Sequence, residues 1–104
     1  MPGASTLLLL SIILSANIFS EQYSVSGYTK NMVTNEPIEN VNVYFIDLQV
    51  GLTTNENGYF NFILSENLEK VNLEFSHIAF ETVQWSGEIG DVINVSMKES
   101  LLKL

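Results

Sequence analysis

The stretch Val71-Asn72-Leu73-Glu74-Phe75-Ser76 alternates apolar and polar side chains without interruption. Successive side chains of a β-strand point to opposite faces of a sheet, so this stretch has one apolar face and one polar face. The same period of two recurs at Val41, Val43 and Phe45, at Phe60, Phe62 and Leu64, and at Ile93, Val95 and Met97. The sequence therefore predicts four half-buried strands that share one core.

Three more strands are predicted from shorter patterns, over Gln22 to Tyr28, Leu52 to Thr54 and Phe80 to Trp85. No stretch after residue 20 shows the period of a helix. Seven short strands separated by turns are typical of a Greek-key sandwich. The fold class predicted is therefore all-β, a seven-stranded antiparallel Greek-key sandwich.

Turn-forming residues separate the predicted strands. Asn55-Glu56-Asn57-Gly58 ends in a pair that tolerates positive φ, as a tight connection between antiparallel strands requires. In Thr34-Asn35-Glu36-Pro37, asparagine suits a left-handed position and proline fixes the next φ. The stretch Ser86-Gly87-Glu88-Ile89-Gly90-Asp91 is predicted to be the last loop.

The first 20 residues differ in composition from the rest, because all 12 acidic and all 4 basic residues lie at Glu21 or later. The apolar run from Leu7 to Leu14 has the length of a signal-peptide core and is short for a helix that must cross about 30 Å of hydrocarbon. A small residue, Ser20, suits a cleavage position. Residues 1–20 are therefore predicted to be a signal peptide preceding a mature N-terminus at Glu21, with an uncleaved membrane anchor as the alternative.

Residues 21–97 are predicted to form one domain, followed by a tail or truncated linker over residues 98–104. The net charge is −8, arginine is absent, and the 4 lysines are scattered, so nothing is suited to neutralising the phosphates of a nucleic acid. The chain has no cysteine, which excludes disulfides and thiolate metal sites. An acidic excess favours solubility of an exported domain.

Three stretches resemble the carboxypeptidase-regulatory-like domain found at the N-terminus of TonB-dependent outer-membrane receptors of the Bacteroidota. They are Val25-Ser26-Gly27 with residues 34–43, residues 51–60 (Gly-Leu-Thr-Thr-Asn-Glu-Asn-Gly-Tyr-Phe), and residues 73–82 (Leu-Glu-Phe-Ser-His-Ile-Ala-Phe-Glu-Thr). Asn35, Asn40 and Ala79 stand where the family pattern has glycine, so the loop at Ala79 is expected to differ.

This resemblance implies a transthyretin-like sandwich, export to the periplasm, outer membrane or cell surface, and a non-catalytic accessory role. The expected partners are proteins of a receptor complex that takes up a nutrient, with membrane contact only through the export signal or a missing receptor barrel. Receptors of this kind continue into a plug and a β-barrel, so the chain is expected to be a receptor fragment or detached domain. The alternative is a free-standing secreted domain that binds a glycan or a cell-surface protein.

Candidate chemical groups are few. His77 is the only histidine, which excludes a multi-histidine metal site and favours a packing role. Asn55, Asn57 and Gly58 are similar to half of a calcium loop, but no bidentate glutamate follows at the required spacing. No catalytic, cofactor-binding or metal-binding residue is predicted, and no cofactor or small-molecule substrate is implied.

Other side chains have both a functional and a structural interpretation. The carboxylate pairs Glu36 with Glu39 and Glu66 with Glu69 have acid–base potential, but their polar surroundings favour solvated loop charges. Trp85, Phe80 and Tyr59 are candidates for a sugar-stacking surface, for which core or edge packing is the favoured alternative. Asn94-Val95-Ser96 matches a glycosylation acceptor and is interpreted as accidental on a strand.

Overall fold

Seven β-strands are formed by residues 21–101, the part of the chain that the computed structural model describes. They are β1 (Tyr23–Asn31), β2 (Asn42–Phe45), β3 (Val50–Thr53), β4 (Tyr59–Leu64), β5 (Val71–His77), β6 (Phe80–Gly87) and β7 (Ile93–Met97). A three-stranded sheet has the order β4-β1-β7, and a four-stranded sheet has the order β3-β2-β5-β6. The predicted seven-stranded β-sandwich is confirmed, whereas the predicted signal peptide lies outside the described residues.

The antiparallel prediction fails for one pair of strands, because β1 and β7 run parallel. The other four pairs are antiparallel. Residues 88–92 carry the chain from the end of β6 to the other sheet, at the end of the sandwich where β1 begins. Strand β7 must therefore leave that end in the same direction as β1. Alternation of side chains indicates which face a strand buries, but it contains no information about direction.

The core lies between the two sheets and consists of the apolar positions that the alternation predicts. All twelve inward positions of the four clearest strands are buried. Val41, Val43, Phe45, Val71, Leu73, Phe75 and Met97 are 0 % exposed, and the most exposed of the twelve, Ile93, reaches 7 %. Phenylalanine rings meet edge to face across the sheets, with Phe45 and Phe62 at 5.3 Å and Phe60 and Phe75 at 5.4 Å between centroids.

The turns adopt left-handed backbone at most of the predicted positions. Asn35, Asn40 and Gly58 have φ of 65°, 63° and 73°. Gln49, in the turn between β2 and β3, also has a positive φ of 54°, which the sequence did not predict. The β5–β6 turn contains no residue with positive φ, so alanine at position 79 adopts its backbone conformation without strain.

The chain continues along β6 after β7 ends. The Glu81 N–H donates to the Lys98 carbonyl over 2.8 Å, and the Ser100 N–H donates to the Ala79 carbonyl over 2.9 Å. Glu99 also forms an isolated antiparallel bridge with Phe80. Residues 98–100 therefore cover the first part of the outer edge of β6. Within residues 21–101 there is no helix of the length and hydrophobicity needed to cross a membrane.

Candidate interaction surface

The turn that is similar to half of a calcium loop is closed by its own asparagine. The Asn55 side-chain oxygen accepts hydrogen bonds from the N–H groups of Asn57 at 3.0 Å and Tyr59 at 2.9 Å. The Gly58 N–H donates to the Asn55 carbonyl at 2.9 Å. No group of three or more histidine, aspartate or glutamate side chains is placed to hold a metal ion within the described residues. The arrangement of Asn55 is accounted for by turn formation.

His77 lies at the end of β5 and closes the next turn. Its Nδ1 accepts a hydrogen bond from the Ala79 N–H at 3.0 Å, and its ring lies edge-on to Phe80 at 5.3 Å between centroids. An imidazole nitrogen that accepts a backbone hydrogen bond fixes the ring against the turn. This geometry fits the packing role that the sequence favours.

The three aromatic residues considered for sugar stacking do not form one surface. Trp85 and Phe80 lie on β6 in the four-stranded sheet and pack, partly buried, against the core. Tyr59 lies on β4 in the other sheet, where its partner is Tyr28. The structure therefore gives Trp85 and Phe80 the packing role and leaves a different aromatic pair at the surface.

The predicted carboxylate pairs occupy exposed loops. Glu36 and Glu39 lie between β1 and β2, whereas Glu66 and Glu69 lie between β4 and β5. Glu69 borders an open cleft of about 600 Å³ between residues 67–70 and residues 87–89. Its lining combines the aliphatic side chains of Leu68 and Ile89 with the charges of Glu69, Lys70 and Glu88. Glu66 does not line this cleft, so the structure does not bring the predicted Glu66–Glu69 pair together across it.

The outer face of the three-stranded sheet has a composition unlike the rest of the chain, and we call it the tyrosine face. Its members alternate with the buried positions of β1, β4 and β7 and are paired across strands. They are Ser24, Ser26, Tyr28, Lys30, Tyr59, Asn61, Ile63, Asn94 and Ser96. None of the 12 acidic residues of the chain belongs to this face, and Lys30 is its one charged side chain.

Tyr28 and Tyr59 form the centre of the tyrosine face. They lie opposite each other on β1 and β4, with ring centroids 5.1 Å apart and ring planes tilted by 49°. Tyr28 is 43 % exposed. Asn61 and Asn94 flank the pair and are exposed, and their amides make no hydrogen bond to another residue of the described range. The face thus presents aromatic area together with free amide and hydroxyl groups.

The side chains with shifted pKa lie away from this face. A hydrogen bond to Glu21 at 2.6 Å raises the pKa of Tyr23, with contributions from burial and from the charge of the same carboxylate. Hydrogen bonds from Asn72 lower the pKa of Asp47, first from the backbone and then from the side chain. In both cases a hydrogen bond is the largest cause of the pKa shift.

Fold and surface together define a β-sandwich domain whose distinguishing feature is an exposed sheet face without carboxylates. The family model of the CarboxypepD_reg-like domain matches residues 25–104, and the chain belongs to this family. Domains of this family are regulatory and non-catalytic. None of the curated proteins compared with the chain matches it.

Sequence reasoning missed the tyrosine face. Each of its strands is predicted from the sequence, but Tyr28 ends one of the shorter patterns, and Tyr59 is considered only with Phe80 and Trp85, which lie in the other sheet. Only the pairing of β1 with β4 brings the two tyrosines together. The available signal was the absence of any carboxylate at the outward positions of β4 and β7.

Proposed function

We propose that this chain is a non-catalytic accessory domain that contacts protein partners in a TonB-dependent nutrient receptor system of the outer membrane. The observation that carries the proposal is the tyrosine face on a domain of the CarboxypepD_reg-like family. The resemblance of residues 25–43, 51–60 and 73–82 to the receptor N-terminal domains supports the receptor context. The chain acts through contact and does not turn over a substrate.

Composition favours recognition at the tyrosine face. Tyrosine supplies rigid amphipathic contact area at a small cost in conformational entropy, and serine and asparagine supply adaptable hydrogen bonds. Charged side chains are depleted at the centres of protein interfaces. A face that contains one lysine and no carboxylate, on a chain of net charge −8, satisfies both conditions.

Binding measurements with matched tyrosine variants test the contact. The receptor partner is sought as a plug-and-barrel reading frame beside the gene, and its purified product is titrated with the chain. We expect Tyr28→Ala to weaken binding at least tenfold. Tyr44→Ala is the control, because Tyr44 is 41 % exposed, close to the 43 % of Tyr28, but lies on the opposite sheet. Equal effects of the two variants, or no receptor frame in related genomes, would contradict the proposal.

Export is the second part of the proposal. Its support is the uncharged N-terminal segment with the apolar run from Leu7 to Leu14. Expression of the full chain followed by cell fractionation is expected to place it in the periplasm, the outer membrane or the cell surface. N-terminal sequencing of the product is expected to begin at Glu21. Recovery of the intact chain from the cytoplasm would contradict export.

A second candidate function is binding of a neutral glycan by a free-standing secreted domain. The tilted Tyr28–Tyr59 pair flanked by the free amides of Asn61 and Asn94 favours it, because aromatic rings and planar amides suit the apolar and hydroxyl faces of sugars. Calorimetric titration with neutral oligosaccharides tests this candidate, again with Tyr28→Ala against Tyr44→Ala. Absence of heat across a panel of such oligosaccharides would remove it.

A further inference from the structure

Among residues 21–101, no backbone group pairs with the outer edge of β4 beyond Tyr59. Strand β4 is the outermost strand of its sheet. The Thr29 N–H of β1 donates to the Gly58 carbonyl, so the Gly58 carbonyl faces β1. The Tyr59 N–H donates to the Asn55 side-chain oxygen at 2.9 Å, and the Tyr59 carbonyl accepts from the Asn55 N–H at 3.1 Å, so both backbone groups of Tyr59 face away from β1. Backbone groups alternate in direction along a strand. Those of Asn61 and Ile63 therefore point away from β1, toward the open edge.

This edge lacks the features by which sheet edges normally avoid pairing. The sequence of β4, Tyr-Phe-Asn-Phe-Ile-Leu, contains no charged residue, no proline and no glycine, and Ile63 is 61 % exposed. Soluble proteins protect exposed edges with charges, prolines, bulges or a covering segment. Strand β6 has such protection, since it contains Glu81 and residues 98–100 cover its first part. Within the described residues the β4 edge has no such protection, so it is able to pair with another strand.

We propose that the edge of β4 pairs with β4 of a second copy of this chain, antiparallel and about a two-fold axis. Because Tyr59 is already bonded to Asn55, the register that uses the free groups places Asn61 opposite Ile63 of the second copy. Two such pairs, related by the axis, exchange about four backbone hydrogen bonds. The two-fold axis passes between Phe62 of one copy and Phe62 of the other. The two three-stranded sheets then form one continuous sheet.

The distribution of charge leaves this edge accessible to a second copy. Two chains of net charge −8 repel each other wherever their carboxylates meet. The edge of β4 adjoins the tyrosine face, which contains no carboxylate. The acidic residues nearest in sequence, Glu56 and Glu66, lie in the turns before and after the strand. Pairing along β4 therefore places two tyrosine faces, which contain no carboxylate, side by side.

Sedimentation of residues 21–104, which contain the complete described sandwich, tests the dimer. The edge contact is small, and small interfaces are weak, so the concentration series extends to about 500 µM. We expect the wild type to shift from monomer to dimer and Ile63→Lys to stay monomeric with an unchanged melting temperature. Ile78→Lys is the matched control, because Ile78 is 90 % exposed and lies in the β5–β6 turn. A wild type that stays monomeric throughout, or an Ile63→Lys variant that dimerises equally, overturns the proposal.

The register is tested on the full chain by cysteine cross-linking, because the chain has no cysteine of its own. Directly opposite residues of an antiparallel pair lie within the Cα separation of about 4.4–6.8 Å that a disulfide spans. Tagged Asn61→Cys mixed with Ile63→Cys is expected to form the mixed disulfide. Tagged Asn61→Cys mixed with Tyr44→Cys is the control. Equal yields in the two mixtures overturn the proposed register. Since these measurements use this chain alone, their outcome is independent of receptor or glycan binding.

Discussion

Gly58 lies where the β3–β4 turn contacts β1. Its φ of +73° lies in the left-handed region, and its carbonyl accepts the Thr29 N–H at 2.8 Å. A Cβ at this position would overlap the Thr29 carbonyl oxygen, which belongs to the backbone of the neighbouring strand. Both the backbone conformation and the available space therefore require glycine.

Gly58→Val is expected to destabilise the domain by at least about 1–2 kcal/mol, the cost of left-handed backbone for a residue with Cβ, with the overlap adding to it. The measurement is thermal unfolding of residues 21–104. Gly90→Val is the control, because a Cβ on Gly90 has no atom within 4 Å.

Melting curves of the wild type with calcium and with chelator are expected to overlap, and Glu56→Gln is expected to change them little. A calcium-dependent rise that Glu56→Gln abolishes would show a metal site.

Phe62 shows how a single inward side chain contributes to stability. It is 6 % exposed and meets Phe45 edge to face at an interplanar angle of 85°. Phe62→Ala is expected to cost about 3–5 kcal/mol. A domain of this size has about 4–12 kcal/mol available, at roughly 0.05–0.15 kcal/mol per residue. In denaturant unfolding the midpoint of this variant should fall well below that of the wild type, whereas Ile78→Ala, at a 90 % exposed position, should unfold with the wild type. Coincident curves for Phe62→Ala and the wild type would contradict its core role.

At the scale of elements, a hydrogen-bonded chain of side chains joins the β2–β3 turn to β5 and β6. The Asp47 carboxylate accepts from the Asn72 N–H at 2.9 Å and from its side-chain amide at 3.1 Å. The Asn72 side-chain oxygen accepts from the Ser86 hydroxyl at 2.6 Å. The Ile46 N–H donates to the Asn72 carbonyl at 3.0 Å. Asp47 thus fixes the turn to the start of β5.

This contact predicts a loss of stability in acid. Hydrogen bonds from Asn72 lower the folded-state pKa of Asp47 below its usual 3.8. The stabilisation is therefore complete above the unfolded pKa and is lost as pH falls through the folded pKa. Asp47→Asn should lower the melting temperature at pH 7, and its difference from the wild type should shrink below about pH 4. Asp91→Asn, with the same charge change, is the control. A difference that stays constant from pH 7 to pH 2 would exclude the linkage.

The sequence predicts the strands better than it predicts their arrangement. The alternation around Phe75 and Phe62 is a local property, so both residues could be placed in the core. The parallel pairing of β1 with β7 depends on where the β6–β7 loop crosses between sheets, and no local pattern encodes this. Gln49 adopts a positive φ because the β2–β3 turn requires it, although its residue type gives no indication.

At the scale of the whole molecule, the same limit applies to the candidate surface. The tyrosine face consists of residues from three strands that are far apart in sequence, and its absence of carboxylates becomes visible only when the strands are in register. By contrast, the negative net charge is evident from composition. Because the carboxylates are excluded from one sheet face, they are concentrated on the loops and on the remaining surface.

This concentration of charge predicts that salt stabilises the domain. Self-repulsion of a net charge of −8 opposes the compact state, and a rise from 0.01 M to 0.1 M salt shortens the screening length from about 30 Å to about 10 Å. The melting temperature of residues 21–104, measured at low protein concentration in potassium chloride, should rise by roughly 2–8 °C, as expected for about 0.5–1 kcal/mol in a domain of this size. Near the isoelectric point of about 4.3 the net charge vanishes, and the effect of salt should largely disappear. A melting temperature that falls with salt at pH 7 would show that attractive charge pairs outweigh the net repulsion.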